Sequence, residues 1–314
     1  MGLYESWIKR AVRAGHERSL RAGVFEFFYR PYIKSLQTIN DGVLEPIGEP
    51  IYELDWDVLI ILDACRGDLM RNLLTSNAYP YVRTRETTTS VASMTPDWME
   101  QNFVPRYASE MEDTVYVCGN PFSEQKLDAN WFRELVEVWR YGWDDGTGTQ
   151  PPRPITDEAI RQGRAMDDGR LIVHYMQPHS PFLTDSPMEE GKSLDSWPVT
   201  PDGDVWTQLS YGELDANEVW TNYRENLELV MDELTLLLEN LDAEHAVVSS
   251  DHGNAIGEYR IYGHPGSMPF PFLREVPWLE VETTDSGTYS PAPRQETATD
   301  TDTRSRLESL GYVT

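Results

Sequence analysis

Two short apolar runs in this sequence each end at an aspartate, and they constrain the fold more than any other feature. Residues 58–62 (VLIIL) lead into Asp63, and residues 246–250 (AVVSS) lead into Asp251. Continuous apolar runs of this length are typical of strands buried on both faces of a parallel sheet. Because ligand sites of open α/β sheets gather at the carboxyl ends of the strands, we expect both aspartates at one edge of one sheet.

Further strand and helix patterns alternate along the chain. Apolar runs at 114–118 and 171–176 indicate two more buried strands. Between residues 219 and 241, apolar side chains recur every three or four positions, which predicts a long amphipathic helix. Strands that alternate with helices predict an α/β fold, with a mainly parallel sheet and helices on both faces.

The chain is strongly acidic. Its 314 residues carry 53 Asp and Glu against 26 Lys and Arg, a formal net charge of −27. Such a surface repels itself in dilute buffer, whereas salt near 1 M shortens the Debye length to about 3 Å. The composition indicates adaptation to a salt-rich cytoplasm, as in a halophilic archaeon, with an ordinary acidic protein as the alternative. We expect no nucleic-acid partner, because no basic groove is available to neutralise phosphates.

Cysteine and hydropathy patterns bear on the compartment. Cys65 and Cys118 have neither the spacing of a zinc site nor that of a disulfide framework. No apolar run approaches the ~20 residues of a membrane span, and the first residues lack the apolar core of a signal peptide. We therefore expect a cytoplasmic protein.

Residues 1–35 differ from the rest of the chain. They carry seven Lys and Arg against three Glu, and Leu3, Trp7, Ala11 and Ala14 recur at helical spacing. This pattern predicts a basic amphipathic helical segment. Such a helix either makes peripheral contact with the inner face of an anionic membrane or docks on its own acidic domain, and the sequence leaves both open.

A metal site is predicted where the second aspartate strand ends. Asp251 is followed directly by His252, and a carboxylate beside an imidazole suits a divalent cation. Either Asp63 or Asp251 alone could instead cap a helix. The two aspartates together with His252 favour the metal.

Five segments, in order, resemble motifs of the alkaline phosphatase/sulfatase superfamily. They are DVLIILDACRGDL (57–69), HYMQPHSPF (174–182), YRENLELVMDELTLLLENL (223–241), SSDHGNAIGEYRIYGHPG (249–266) and LESLGYVT (307–314). The resemblance implies an alkaline-phosphatase-like core, with the catalytic domain at residues 52–281. An acidic, Thr-rich segment at 282–304 is expected to be mobile, and residues 305–314 are expected to dock as a short helix.

The resemblance also implies a nucleophile some tens of residues after the first aspartate. Ser90, in the segment TTTSVASMTPDW, matches the first residue of the sulfatase motif C/S-x-P-S-R and the first serine of the alkaline phosphatase run S-A-A-S-A-T. Ala92 and Met94 replace the proline and arginine of the sulfatase motif. No cysteine is present to become formylglycine, and we expect Ser90 to be the nucleophile and a metal contact.

Other hydroxyls of this segment have different expected roles. Ser93 is the second choice for the nucleophile and is expected to contact substrate. Thr95 and Pro96 have the pattern of a helix N-cap followed by proline at the first helical position. An ordinary Ser/Thr-rich loop is the alternative for the whole segment.

Comparison with the family indicates which metal ion the site favours. Calcium-dependent sulfatases carry an Asp pair after the first strand and Asp-Asn after the last, whereas this chain has Asp63-Ala64 and Asp251-His252. One carboxylate is lost and one imidazole gained, which favours Zn²⁺ or Mn²⁺ over Ca²⁺ or Mg²⁺. We expect one divalent cation, held by Asp63, Ser90, Asp251 and His252.

The remaining polar residues complete the predicted site. His179 and His264 are expected to bind the anionic head of the substrate or to assist the leaving group, and a ligand of a second metal is the alternative for His264. Arg66 either orients Asp63, contacts substrate or is an ordinary surface residue. His174 alternates into its strand and is interpreted as a core histidine, and Cys65 as a small packing residue.

These predictions define a metal-dependent hydrolase or transferase that acts on an anionic ester through a serine. A phosphate mono- or diester is preferred because the sulfatase motif is broken, and the substrate is expected to be glycan- or lipid-linked. A sulfatase and a non-catalytic, metal-binding scaffold are the alternatives.

Overall fold

The computed structural model describes residues 2–43, 48–76, 78–184, 188, 194 and 204–294. Residues 295–304 of the expected mobile segment, and the whole of the expected helix at 305–314, lie outside these residues. The strands are β1 (Val58–Leu62), β2 (Glu86–Thr89), β3 (Thr114–Cys118), β4 (Glu134–Glu137), β5 (Arg170–Tyr175), β6 (Ala246–Ser249), β7 (Ala255–Ile256), β8 (Tyr262–Gly263) and β9 (Glu275–Val281). The α-helices are α1 (Gly2–Glu17), α2 (Leu20–Val43), α3 (Gly67–Leu73), α4 (Thr95–Asn102), α5 (Ala108–Glu112), α6 (Ser123–Lys126), α7 (Trp139–Gly142), α8 (Pro152–Ala165), α9 (Val205–Tyr211), α10 (Ala216–Leu238) and α11 (Pro271–Arg274).

A mostly parallel sheet forms the centre of the fold. Its seven strands have the order β2-β9-β6-β1-β5-β3-β4. The five strands from β6 to β4 are parallel to their neighbours, while β9 runs antiparallel to β6 and β2 antiparallel to β9. The predicted α/β class is confirmed, and all four predicted apolar runs form strands of the parallel part.

Apolar side chains cover both faces of this sheet. All five residues of β1 are buried, and they alternate between two hydrophobic clusters. Ile60 packs in the cluster that contains Leu227 of α10, whereas Ile61 packs in the one that contains Trp98 of α4. This two-sided burial explains why β1 is continuously apolar rather than alternating.

The pairing register aligns the carboxyl ends of three strands. Ile61 of β1 lies opposite His174 of β5 and opposite Ser249 of β6. The residues that follow β1 and β6, including Asp63 and Asp251, are therefore brought to the same edge of the sheet.

Helices α1 and α2 form an N-terminal hairpin that packs on the α/β core. The two helices cross where Gly23 faces Gly15, and a Cβ atom on Gly23 would lie only 2.8 Å from Gly15 Cα and from the main-chain oxygen of Ala11. No described helix combines the length and the apolar character needed to cross a bilayer.

Candidate metal centre

Asp63 occupies the sharp turn that follows β1. Its carboxylate is buried, and Oδ2 accepts a hydrogen bond of 2.7 Å from the side-chain amide of Asn120. Its main chain is also held, because the amide donates to Tyr175 and the carbonyl accepts from His179, both at 3.1 Å. The strand end and its neighbours thus fix the direction of Asp63.

Asp251 follows β6 and is completely buried. One carboxylate oxygen, Oδ1, accepts hydrogen bonds from the main-chain amides of Ala64 at 2.9 Å and His252 at 2.8 Å. The other, Oδ2, accepts a bond of 2.7 Å from the hydroxyl of Thr95. The main chain therefore orients Asp251 through one oxygen and presents the other to the centre.

His252 has a defined tautomer. Its Nδ1 lies 2.7 Å from the carbonyl oxygen of Gly253 and must donate to it, which leaves the lone pair on Nε2. This Nε2 lies 3.4 Å from Asp251 Oδ2 and 3.7 Å from Asp63 Oδ1. Burial lowers the pKa of His252 to about 4, so the ring is neutral and can act as a ligand.

Gly253 is needed beside this histidine. A Cβ atom at that position would come within 2.3 Å of the carbonyl oxygen of Phe272. Any side chain there would therefore push the main chain of Gly253, whose carbonyl accepts from the imidazole, away from Phe272.

His174 joins the same group, which the sequence did not predict. Its Nδ1 lies 2.8 Å from the hydroxyl of Tyr116, and its Nε2 lies 3.9 Å from Asp251 Oδ2. Among the described residues, this buried Nε2 has no hydrogen-bond partner. Burial lowers the pKa of His174 to about 4 as well. The interpretation of His174 as a satisfied core residue therefore needs correction.

The donor atoms fit a divalent cation. One atom each from Asp63, His174 and Asp251 lie within 4.8 Å of one another, and all three residues are buried. Ligand atoms of a tetrahedral zinc site are about 3.4 Å apart, close to the 3.4 and 3.7 Å that separate His252 from the two carboxylates. Buried carboxylates that face neutral imidazoles are costly without a cation, so the donor set suits a metal and does not fix which one.

Three hydroxyls of the predicted nucleophile segment, those of Ser90, Ser93 and Thr95, point in different directions. Ser90 donates to the main-chain oxygen of Asp251 rather than to its carboxylate. Ser93 donates to the carbonyl of Pro265 at 2.8 Å and accepts from the amide of Met268 at 3.1 Å. Both serines therefore join main-chain segments around the centre.

Thr95 is the hydroxyl that faces the donor group. Its Oγ1 lies 2.7 Å from Asp251 Oδ2 and 3.2 Å from His252 Nε2. Helix α4 begins at Thr95 itself, Met94 stands in the capping position, and no side chain caps the helix. The prediction that Thr95 is an N-cap is therefore wrong, because its hydroxyl bonds to the strand-end residues instead.

His179 and His264 lie together next to the centre. Their Nε2 atoms are 2.9 Å apart, and the ring of His264 lies 4.6 Å from the ring of His252, measured between centroids. Both are only partly buried. The three imidazoles thus lead from the buried donor group toward the surface.

Arg66 is held by protein groups on several sides. It makes a bidentate ion pair with Asp68, at 2.8 and 2.7 Å, and also bonds Glu258 at 2.6 Å and the main-chain oxygen of Asn254 at 2.9 Å. The guanidinium therefore ties the loop after β1 to the loop after β6. Because the side chain is buried, the alternative of an ordinary surface residue is wrong, while the contact with substrate stays a prediction.

Arg274 was not singled out from the sequence. This buried side chain donates to the main-chain oxygens of Ser90 and Val91, both at 2.8 Å, and of Met268 at 3.3 Å. It therefore fixes the loop that precedes Thr95. An arginine in the sequence Phe-Leu-Arg-Glu gives no local signal of this role.

Cys65 lies beside Asp63 and is buried and not disulfide-bonded. Burial raises the pKa of its thiol well above the ordinary range, which keeps it protonated and unreactive. Its interpretation as a small packing residue agrees with this environment.

Comparisons with known proteins identify structural neighbours only. No family model and no curated protein matches the sequence. The fold is similar to the soluble domain of lipooligosaccharide phosphoethanolamine transferase A from Neisseria meningitidis, with 14% identity, a TM-score of 0.48 and coverage of 73% of this chain and 76% of that one. A putative sulfatase from Bacteroides thetaiotaomicron matches with 10% identity, a TM-score of 0.43 and coverage of 82% and 71%.

A third neighbour was solved as a complex with zinc. It is the C-terminal periplasmic domain of EcEptC from Escherichia coli, with 14% identity, a TM-score of 0.40 and coverage of 77% of this chain and 78% of that one.

Proposed function

We propose that this protein is a metal-dependent enzyme that acts on an anionic ester through the hydroxyl of Thr95. The observation that carries the proposal is the position of that hydroxyl, in contact with both Asp251 and His252 within a buried group of possible metal ligands. A threonine hydroxyl is a weak nucleophile until a metal or a base activates it. Thr95 therefore replaces Ser90 as the proposed nucleophile.

The chain's own residues support a displacement in two steps. Asp63, Asp251, His252 and the nearby His174 would hold the cation. When bound, it would lower the pKa of the attacking hydroxyl and polarise the ester oxygen.

In the first step, Thr95 Oγ1 would pass its proton to Asp251 Oδ2, which already accepts its hydrogen bond, and form a bond to phosphorus as the bond to the leaving alcohol breaks. His264 or His179 would protonate that alcohol. In the second step, the same histidine, now neutral, would take a proton from water or an acceptor alcohol as it attacks phosphorus, and the bond from phosphorus to Thr95 would break as Asp251 returns the proton to Oγ1. Water would make the protein a hydrolase, and an acceptor alcohol would make it a transferase.

The first experiment is an activity screen in molar KCl. Chromogenic phosphate monoester, phosphodiester and sulfate ester would each be tested with Zn²⁺, Mn²⁺, Ca²⁺, Mg²⁺ or EDTA. We expect metal-dependent turnover of a phosphate ester. Turnover of the sulfate ester alone would establish the sulfatase alternative instead, and retained metal binding without any turnover would favour the scaffold.

Three variants then identify the nucleophile. Thr95→Ala should lower kcat by at least about 1000-fold, as expected when a nucleophile is removed. Thr95→Ser retains a hydroxyl and should keep most of the activity, while Ser90→Ala should lose less than Thr95→Ala. A phosphoryl group trapped on Thr95 and found by mass spectrometry would be direct support, whereas inactivation by Ser90→Ala alone would return the role to Ser90.

A further inference from the structure

The outward side of α2 is apolar and uncovered by the described residues. It carries Leu20, Val24, Phe27, Phe28 and Ile39, which fall on one side of the helix at spacings of three, four or eleven residues and are called here the outer face. Leu20 is 81% exposed and Phe28 is 66% exposed. Large side chains concentrated in this way mark an interaction surface, unlike scattered surface residues.

The opposite side of α2 is fixed to the rest of the protein. The hydroxyl of Tyr29 donates to the main-chain oxygen of Tyr262 at 3.4 Å, and the side-chain amide of Gln37 donates to the main-chain oxygen of Gly266 at 3.0 Å. Phe25 stacks on Tyr29 and packs edge-on against Tyr262. Since the inner side is already docked, the outer face is not needed to hold the helix on its own domain.

The hairpin also has the opposite charge to the rest of the chain. Residues 2–43 carry seven Lys and Arg against four Asp and Glu, whereas the remaining residues carry 19 against 49. Lys9, Arg13 and Lys34 are exposed. Basic side chains beside an apolar helical face are the combination that binds the surface of an anionic bilayer.

A second copy of the chain is a poorer match for this surface. Outside the hairpin, the large apolar side chains that the described residues expose are Trp131 and Tyr259. Pairing of two hairpins would provide an apolar partner, but it would also bring their basic residues together. An anionic lipid surface offers both an apolar layer and the complementary charge.

We propose that the outer face of α2 docks the protein on an anionic lipid bilayer as a peripheral contact. The helix would lie along the interface with Leu20 and Phe28 in the acyl region and the basic side chains at the headgroups. This proposal does not depend on the enzymatic one, because binding is measured without a substrate.

The test is flotation of the full chain with vesicles of phosphatidylglycerol and phosphatidylcholine, or of phosphatidylcholine alone. We expect the protein to float with the anionic vesicles. The double variant Leu20→Ser/Phe28→Ser should bind roughly 100-fold more weakly, because two large side chains no longer enter the bilayer. Trp131→Ser, which changes an exposed aromatic residue outside the hairpin, is the matched control and should float like the wild type.

The charge contribution is tested separately. Lys9→Gln/Lys34→Gln should weaken binding roughly 30-fold at about 0.15 M KCl and much less at about 1 M, where the charges are screened. Thermal unfolding of each variant checks that the fold is intact. Absence of wild-type flotation on anionic vesicles, or a dimer that Leu20→Ser/Phe28→Ser dissociates without vesicles, would overturn the proposal.

Discussion

The candidate metal centre buries polar side chains, whereas the N-terminal hairpin exposes apolar ones. The centre buries Asp63, Asp251, His174 and His252, residue types that are expensive to bury. The hairpin exposes Leu20 and other large apolar side chains. Buried polar groups and exposed apolar patches are the placements that folding alone does not explain. Each region is therefore the basis of a binding proposal, for a cation in one case and for a lipid surface in the other.

The two regions are also built differently. The centre draws its side chains from the ends of β1, β5 and β6 and from the start of α4, so it exists only when the sheet is complete. The hairpin is one continuous stretch, residues 2–43, whose helices mainly contact each other. Changes to the centre should therefore alter metal binding, while changes to the hairpin should act locally.

The largest expected effect comes from removing one charge at the centre. Asp251→Asn keeps the shape of the side chain but loses a carboxylate that would hold the cation. The affinity for Zn²⁺ or Mn²⁺, measured by isothermal titration calorimetry, should fall by at least about 1000-fold. This loss exceeds the one typical of a residue that only hydrogen-bonds to a metal ligand. Asp57→Asn, at the opposite end of β1, is the control and should bind metal normally. Wild-type affinity in Asp251→Asn would refute the centre.

A smaller effect is expected when a partner of a ligand is removed. Asn120→Ala deletes the amide that donates to Asp63 at 2.7 Å, and metal affinity should fall by about 10- to 100-fold. Asn102→Ala is matched in type and burial, but it loses a bond of 2.8 Å to the amide of Ile51, away from the centre. That control should lower stability without changing metal affinity. Equal affinities in both variants would show that Asn120 does not orient Asp63 for metal.

The packing of α1 on α2 is tested by alanine substitutions at two glycines. Gly23→Ala places a Cβ 2.8 Å from main-chain atoms of α1 and should destabilise the hairpin by about 1–3 kcal/mol. At Gly15 a new Cβ would meet Gly23 Cα at an ordinary 3.6 Å, so Gly15→Ala should be tolerated. Amide hydrogen exchange would detect faster opening of α1 in Gly23→Ala only. Unchanged metal affinity in both variants would confirm that the two regions are independent, and a shared loss would contradict it.

The smallest expected effect concerns pH. Burial raises the pKa of Asp68, whereas the hydrogen bonds and the charge of Arg66 lower it. The pKa of Asp68 therefore lies below its ordinary value. The stability that this ion pair contributes is therefore present above about pH 4, the unfolded pKa of aspartate, and is lost as the pH falls further.

Asp68→Asn should cost about 1 kcal/mol or less, since the Asp68 side chain is half-exposed, and the difference from wild type should vanish in acid. Urea unfolding at a series of pH values measures it. Glu282→Gln, in an exposed pair with Arg83, should change little at any pH. A difference for Asp68→Asn that persists below pH ~3 would contradict this account.

Much of the fold was predictable because buried parallel strands carry a strong local signal. The four apolar runs became β1, β3, β5 and β6. Strand β4 has only four residues, two of them Glu, and β9 contains Pro277, so neither resembles a buried strand. These strands owe their conformation to the neighbour that they pair with rather than to their own composition.

The candidate site was predictable only where it follows directly from a strand end. Asp63, Asp251 and His252 met this condition. The inward direction of His174 depends on which face of β5 meets the centre, and that of Thr95 depends on how α4 approaches β6. Both are properties of packing between distant segments, and neither is encoded in the residues on either side.

The register that brings Asp63 and Asp251 together has a consequence for stability. These residues are far apart in sequence, so the unfolded chain has no preformed site, and an ion bound here would bind the folded chain alone. By mass action, a free ion at a hundred times its Kd would add about 2.7 kcal/mol to the free energy of unfolding. A bound ion would then link two strand ends that lie nearly two hundred residues apart in the chain, and removal of the metal would lower the stability of the whole sheet.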